Sequence, residues 1–427
     1  MSRAASSRSR LTPVMPPPTI STSTRRGSRR LFTGLGRGQK GWLLGVALLL
    51  SAFNGYEVII HILRRPFQPD FADYYVAAYI GRTAGWSHVY DFATQQALLA
   101  HFVPGWQWLP FWNPAPLAWL ALPFSYLDFY PAFYLWEIPV VGAWVAAWWF
   151  LAPGTRFERG LQLALLFALF PVAFGIWLGQ PVSFVAGLLG LSWWLNRRGQ
   201  PAWAGVALAA AMWIKPHPLV LVPFVLLLTG HWRWFLSFAV SAVAIGELVV
   251  ISLWPAGIDQ FATALHAAAM SERWADYTIA GTLGFGPLAS LTRILYVALA
   301  LAGAWRWRSA GPEIPVAAAV VGSLAIAPYL HLQDLALLVP AGWLAARALT
   351  GAWQARFAIA GWLSVELAVG IGRPLLVLEA LWLAFLLVAP RRQVDQDAGR
   401  QESARSELEG EVVAAKPVVQ VAGKEGS

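Results

Sequence analysis

The sequence predicts an all-α, polytopic bundle of transmembrane helices, and three observations support that prediction. Hydrophobic residues make up 58% of the 427 positions and charged residues only 12%, whereas a soluble chain carries about a quarter charged residues. The apolar residues fall in blocks of about 20, the length of helix that crosses ~30 Å of hydrocarbon. The sequence shows none of the ~10-residue alternating segments that are typical of a membrane β-barrel.

A basic, polar segment, residues 1–40, precedes the first apolar block. It holds eight Arg and one Lys but no Asp or Glu, and its abundant Ser, Pro and Gly predict disorder. We interpret it as a cytoplasmic topology anchor; a tail that binds anionic lipid or nucleic acid is the alternative. This segment alone supplies an excess of nine positive charges, so the formal net charge of +9 does not indicate a nucleic-acid partner.

Thirteen apolar blocks follow, and because several are short we expect about twelve crossings. The blocks are 41–61, 114–127, 131–151, 160–178, 182–196, 202–214, 218–230, 234–254, 287–305, 314–330, 333–349, 355–371 and 374–389. The block 114–127 contains Pro114, Pro116 and Pro123, which favour a half-membrane or re-entrant piece.

Short basic connectors predict the orientation, since Lys and Arg remain on the cytoplasmic side. They are Arg197-Arg198, Arg233, Arg306 with Arg308, Arg347 with Arg356, and Arg391-Arg392. Residues 41–390 then form a multi-pass domain of the cell membrane with outer loops 62–113 and 255–285. The remaining residues, 391–427, form a disordered tail, and both termini are cytoplasmic.

Cysteine and histidine usage limits the chemistry of any site. The chain has no Cys, and its seven His include no pair at metal-ligand spacing. Disulfides, thiolate nucleophiles and Cys-ligated metals are therefore excluded. We expect no cofactor and no divalent metal.

The first outer loop carries two acids, Asp70 and Asp73, beside Tyr74. On a helix these three residues share a face just above the first span. A partly desolvated carboxylate at that position can act as a general base. The alternative is that Asp70 caps the helix and that both acids favour its dipole.

A second cluster lies in a predicted outer turn, where Lys215 and His217 alternate with Pro216 and Pro218. A Lys among apolar blocks costs ~2.5–3.5 kcal/mol at the bilayer centre, so it needs a partner or a wet cavity. Flanking prolines break the helix and free carbonyls, as happens where a cavity is lined. Lys215 and His217 are therefore candidates for binding a phosphate, and a snorkelling Lys is the alternative.

Two further outer segments add candidate residues. His331 and Asp334 are three apart and can share a helical face, although Asp334 can also simply cap a helix. The loop 255–285 contains Arg273, which can bind a phosphate from above the site. An ordinary solvated loop is the alternative there.

Together these segments resemble glycosyltransferase family 87. The resemblance rests on Asp70-Phe71-x-x-Tyr74-Tyr75, Tyr90-Asp91, Asn113-Pro114-x-Pro116, Gly179-Gln180-Pro181, Lys215-Pro216, Pro328-Tyr329 and Gln333-Asp334-Leu335. It covers residues 40 to about 345, and the order and spacing of these short motifs carry it. Where the family often has two adjacent prolines, this chain has Asn113-Pro114-Ala115-Pro116.

The resemblance implies a GT-C architecture with an active site on the non-cytoplasmic face. It also implies a polyprenyl-phosphate sugar donor, with mannose as the expected sugar, a lipid or glycan acceptor, and inversion at the anomeric carbon. Its aspartate base matches Asp70, with Asp73 as a second acid. Lys215, His217 and Arg273 then bind the donor phosphate. The residues expected to contact substrate are Tyr74, Tyr75, Asn113, Gln180, His331 and Asp334.

A lipid or glycan transporter, or a flippase without transferase activity, is the competing interpretation. Such proteins also have broken helices and intramembrane charge. They often show two-fold internal repeats, and none is visible between the two halves of this sequence. In a transporter, Asp70 would be dispensable for sugar transfer.

Overall fold

The computed structural model describes residues 36–64, 69–105, 110–271, 277–349, 361–362, 364–367, 369–370, 372 and 374–388. Across these ranges the regular structure is helical and no strand occurs, as the sequence predicts. The predicted tails lie outside the described residues except for 36–40. That stretch begins the first helix instead of ending a disordered tail, and the Gln39 side chain accepts the Gly36 N–H at 2.9 Å.

Most of the main helices lie in the predicted apolar blocks, but four of them lie in the predicted outer loops 62–113 and 255–285. They are α1 Arg37–Leu63, α2 Phe71–Thr83, α3 Phe92–Phe102, α4 Ala115–Ala121, α5 Phe129–Leu151, α6 Arg156–Ala168, α7 Phe170–Leu178, α8 Val182–Arg197, α9 Pro201–Ile214, α10 Val222–Leu228, α11 Trp232–Leu253, α12 Ala256–Ser271, α13 Ile279–Leu283, α14 Pro287–Arg306, α15 Glu313–Ile326, α16 Leu338–Ala348 and α17 Pro374–Val388. Short 3-10 turns at Trp86–His88, Leu122–Tyr126, His217–Leu219, Arg308–Ala310 and Leu332–Leu337 connect several of them.

Among the described residues, four helices are long and apolar enough to cross a membrane by themselves: α1, α5, α11 and α14. The pair α6–α7 makes a fifth if its two helices form one span, bent by 62°. Pro171 at the start of α7 explains the bend, because it lacks the N–H that would continue the helix. Shorter apolar helices occupy the blocks 202–214, 218–230, 314–330 and 374–389, and most of the block 355–371 lies outside the described residues. The count of about twelve crossings stays a prediction.

Small residues bring the central helices α5, α8, α9 and α11 into close contact. A Cβ on Gly187 of α8 would lie 3.0 Å from the Ala143 carbonyl oxygen of α5. A Cβ on Gly205 of α9 would lie 2.4 Å from the Phe238 nitrogen of α11. Small residues at such positions are typical of helix packing in membranes. There the association of helices depends on close van der Waals contact, because lipid provides no hydrophobic driving force for it.

The short helix α2 is held inside the protein rather than on its surface. Nine of its thirteen residues are buried. Arg82 near its end donates to the Ser125 carbonyl at 2.9 Å, and the Tyr75 hydroxyl donates to the Leu127 carbonyl at 2.7 Å. These bonds attach α2 to the 3-10 turn Leu122–Tyr126 and fix the position of Asp70 at its start.

Candidate active site

Asp70 precedes the first turn of α2 but does not cap it. Its side chain makes no cap hydrogen bond; instead, Oδ2 accepts a hydrogen bond from the Gln180 Nε2 amide. Gln180 is itself buried, with 5% of its surface exposed. The carboxylate is thus held by a residue 110 positions away, which supports the functional interpretation of Asp70 over the capping one.

Gly179 makes this hydrogen bond sterically attainable. It ends α7 with φ at +70°, a conformation that L side chains rarely adopt. A Cβ at Gly179 would also lie 2.9 Å from the Phe71 Cβ, directly beside Asp70. The Trp136 indole donates to the Gly179 carbonyl at 2.8 Å and fixes the turn. The small Gly179 therefore lets this turn pack against Phe71, and the next residue, Gln180, can reach Asp70 with its side-chain amide.

The Lys215 and Asp334 segments meet in a buried ion pair. Lys215 Nζ lies 2.5 Å from Asp334 Oδ1, with the two residues 4% and 0% exposed. The other carboxylate oxygen, Oδ2, accepts the His331 backbone N–H at 3.1 Å. Asp334 therefore acts both as a local cap and as the partner that makes burial of Lys215 tolerable.

An aromatic row extends from this pair. His217 Nε2 lies 3.8 Å from Asp334 Oδ2, a contact longer than a hydrogen bond. The His217 ring centroid is 4.6 Å from that of Tyr329, and the Tyr329 centroid is 6.0 Å from that of His331. Tyr329 thus connects the two histidines.

Asp70 lies close enough to these groups for their charges to affect its pKa. Burial raises the pKa of the Asp70 carboxyl, while His331, the Gln180 hydrogen bond and Lys215 partly oppose the rise and Asp334 adds to it. A raised pKa makes Asp70 a stronger base than an ordinary carboxylate. Asp70, Lys215 and His331 are therefore brought together by the fold.

Asp73 and Tyr74 lie beside Asp70 on the same helix. Burial, and secondarily the Asp70 charge, hold the pKa of Asp73 well above its usual range. Its Oδ1 is buried and has no hydrogen-bond partner among the described residues. Tyr74 is 3% exposed, and burial followed by the charges of Asp70 and Asp73 raises the pKa of its phenol. Both groups are thus hydrogen-bond donors in their neutral forms.

Ionisation of Asp334 is favoured despite its burial. Burial alone would raise its pKa, but Lys215, His217 and His331 outweigh burial, so that the pKa lies below its usual range. Asp70, Tyr329 and His331 are half-buried, whereas Lys215 and Asp334 are buried. Asp70 and His331 are therefore more accessible than the Lys215–Asp334 pair.

Two of the predicted site residues make hydrogen bonds outside this cluster, and a third lies outside the described residues. The Tyr75 hydroxyl donates a hydrogen bond to the Leu127 carbonyl, and the Tyr75 ring packs against Phe102 with 5.1 Å between the ring centroids. The backbone carbonyl of Asn113 accepts a hydrogen bond from the Tyr90 hydroxyl at 2.7 Å. Arg273 lies outside the described residues.

The sequence-based list missed two residues of the site. Tyr329 was visible only as part of the Pro328-Tyr329 motif, and no charge marked it as functional. Trp136 lies in α5 and is one of 25 Trp residues in the chain, so the sequence gives no sign that it contributes to the site. Among the described residues, no group of three or more His, Cys, Asp or Glu is arranged to hold a metal ion.

Comparison with known proteins identifies one family. The model of glycosyltransferase family 87 matches residues 111–330, slightly more than half of the chain. The matched part contains Gln180, Lys215 and His217, whereas Asp70 and Asp334 lie beyond its ends. No curated protein and no solved structure matches the chain.

Proposed function

The chain belongs to glycosyltransferase family 87, and we propose that it transfers a hexose, specifically mannose, from a polyprenyl-phosphate donor to a lipid or glycan acceptor. It is a glycosyltransferase with several helices able to span a membrane, so the transporter alternative loses its support. The single observation that supports the finer proposal is that buried Asp70 lies within the electrostatic range of the Lys215–Asp334 ion pair and of His331.

Asp70 is the proposed general base of an inverting transfer. Its carboxylate takes the proton from the acceptor hydroxyl as that oxygen forms a bond to the anomeric carbon. The bond between that carbon and the phosphate oxygen breaks on the opposite side, and the electron pair leaves with the polyprenyl phosphate. Desolvation of Asp70 favours this role because it raises the basicity of the carboxylate.

The leaving phosphate gains negative charge, which cationic groups stabilise. An ammonium has three N–H donors, and the structure shows one of those of Lys215 directed at Asp334. Lys215 can therefore contact a phosphate oxygen while it keeps its ion pair. His331, which is half-buried, is the second candidate, and His217 is held further inside, 8% exposed.

The neutral donors beside the base are suited to a sugar. Asp73 and Tyr74 present a carboxylic acid and a phenol next to Asp70, and hydroxyl-rich ligands need such donors and acceptors in a fixed arrangement. We assign Asp73 to binding a sugar hydroxyl rather than to proton abstraction, because burial raises its pKa well above its usual range and so favours the protonated form.

The proposed side of the membrane follows from the basic connectors and from α1. Asp70 follows the end of α1 that is remote from the basic segment 1–40. Under the positive-inside rule this arrangement supports a reaction on the non-cytoplasmic face of the cell membrane. A lipid-linked donor is compatible with that location because its sugar phosphate is delivered at the membrane surface.

The test is transfer by the purified full chain from polyprenyl-phosphate mannose to a panel of lipid and glycan acceptors. Asp70→Asn is expected to abolish product formation, whereas Asp128→Asn, an exposed outer acid that makes no cap hydrogen bond, should leave it unchanged. Full transfer by Asp70→Asn would remove the base assignment.

Further arms separate the donor, the stereochemistry and the metal requirement. Polyprenyl-phosphate glucose and a nucleotide-linked mannose should be poor donors. The anomeric configuration of the product, read by NMR, should be opposite to that of the donor. A chelator should not reduce the rate, and a rate restored only by added divalent ion would contradict a metal-free reaction.

A further inference from the structure

A cavity of about 480 Å³ lies between α1, α6, α16 and α17, apart from the candidate active site. Its walls are mostly aliphatic and aromatic, with Trp42 and Ala47 on α1 and Trp382 on α17. The volume is within the range of small-molecule sites, ~300–1,000 Å³. None of the residues of the active-site cluster lines it.

The cavity and the active site lie toward opposite ends of α1. Trp42 and Ala47 belong to its first half, which begins just after the basic segment, whereas Asp70 follows its last turn. A helix of 27 residues is about 40 Å long. The two sites are therefore separated by much of the bilayer thickness, and the cavity belongs to the leaflet at the basic end.

Two buried polar side chains contribute to the cavity wall. Glu379 of α17 is 3% exposed, and neither of its carboxyl oxygens has a hydrogen-bond partner among the described residues. The neighbouring Tyr296 hydroxyl donates elsewhere, to the Leu376 carbonyl at 2.6 Å. Gln162 of α6 is 4% exposed; its amide nitrogen is bonded to the Pro153 carbonyl, but its Oε1 has no partner in the described part of the chain.

These groups specify the chemistry of an occupant. A buried polar group without a partner is destabilising, and a carboxylic acid can donate as well as accept a hydrogen bond. A ligand hydroxyl can accept from such an acid and donate to the Gln162 oxygen. Both residues line the cavity, and their three oxygens without a partner among the described residues are buried in its wall.

We propose that this cavity binds a lipid alcohol, a long hydrocarbon with one hydroxyl group, taken from the leaflet at the basic end of the bundle. The apolar walls hold the chain, and Glu379 with Gln162 recognises the hydroxyl. An anionic lipid headgroup is disfavoured because both polar groups offer oxygen atoms and, among the described residues, no cation lines the cavity.

The experiment uses the full-length protein in nanodiscs and a diazirine-bearing hexadecanol. Photolabelled peptides, mapped by mass spectrometry, should come from α1, α16 and α17. Unlabelled hexadecanol should compete, hexadecane should be about tenfold weaker, the loss expected for one to two hydrogen bonds, and hexadecanoate should not compete. Equal competition by hexadecane or stronger competition by hexadecanoate overturns the proposal, as does labelling confined to other helices.

Two kinds of variant test the site directly. Gly342 lines the cavity and a Cβ there meets nothing within 4 Å, so Gly342→Leu should fill the space and abolish labelling of the cavity peptides. Gly45→Leu, on α1 but outside the lining and equally unobstructed, is the control. Glu379→Leu should weaken hexadecanol about tenfold, while Glu379→Gln keeps most of the affinity. Unchanged labelling in Gly342→Leu overturns the site even if Glu379→Leu fails to fold.

Discussion

Lys215 Nζ lies 2.5 Å from Asp334 Oδ1 although the two residues are 119 positions apart in the chain. Each follows the end of an apolar helix, α9 for Lys215 and α15 for Asp334. Two helix breaks therefore meet inside the protein, and the charges that would be costly alone are paired there. This pair is the link between the Lys-Pro-His-Pro and His-Leu-Gln-Asp segments.

Breaking the pair on one side should destabilise the protein more than removing both charges. Lys215→Met and Asp334→Leu should each cost about 3–5 kcal/mol, because each leaves a buried charge without its partner. The double variant should be more stable than either single variant. Thermal unfolding of the detergent-solubilised protein measures this.

If the loss of stability in the double variant equals the sum of the two single losses, Lys215 and Asp334 are not directly coupled. A control pair is available in Arg197 and Glu313, which lie 3.7 Å apart with the Arg side chain 41% exposed. Its single variants should cost no more than about 1 kcal/mol, as is usual for partly solvated pairs.

The Gln180 amide should set the acid limb of the pH–rate profile. Asp70 must be ionised to act as base, so activity falls as pH drops through its raised pKa. The Gln180 hydrogen bond lowers that pKa, and Gln180→Leu should therefore move the limb of kcat/KM to higher pH. Activity lost at neutral pH should return as the pH is raised.

The exposed Gln200, which makes no cap hydrogen bond at the start of α9, provides the matched control. Gln200→Leu should leave the profile where it is. If the acid limb of the profile stays in place in Gln180→Leu, or moves to lower pH, Asp70 is not the base whose titration limits the rate.

Adjacent tyrosines should separate structure from catalysis. Tyr75→Phe removes the hydrogen bond to the Leu127 carbonyl and should lower stability by about 1 kcal/mol, with kcat unchanged. Tyr74→Phe removes a phenol beside Asp70 and should lower kcat/KM with little change in unfolding temperature. The reverse pattern would place the substrate on the Tyr75 side of α2.

Replacing Gly179 should damage the site through a steric clash and not only through backbone strain. Gly179→Ala forces a Cβ to within 2.9 Å of the Phe71 Cβ at a φ of +70°. Gly199 has a similar φ of +75° but open space around it, so Gly199→Ala reports the backbone penalty alone, about 1–2 kcal/mol. Gly179→Ala should lose more stability and nearly all transferase activity, and equal effects of the two variants would refute the clash.

The sequence alone determined the helical membrane class, the positions of most apolar helices and the family. Apolar blocks of span length leave few other structures, because backbone groups inside lipid must be paired within the segment. It also marked Asp70, Lys215, His331 and Asp334, since ionisable residues near apolar blocks need a reason to be there. The family model confirms the resemblance over residues 111–330.

Only the tertiary structure decided how those residues are used. The sequence could not show that Asp334 pairs with Lys215, that Gln180 holds Asp70, or that Tyr75 faces away from the cluster. Each of these facts depends on contacts between segments that are far apart in the chain. Such contacts are fixed by the packing of helices against one another, as where Gly179 meets Phe71, and periodicity within one helix carries no information about them.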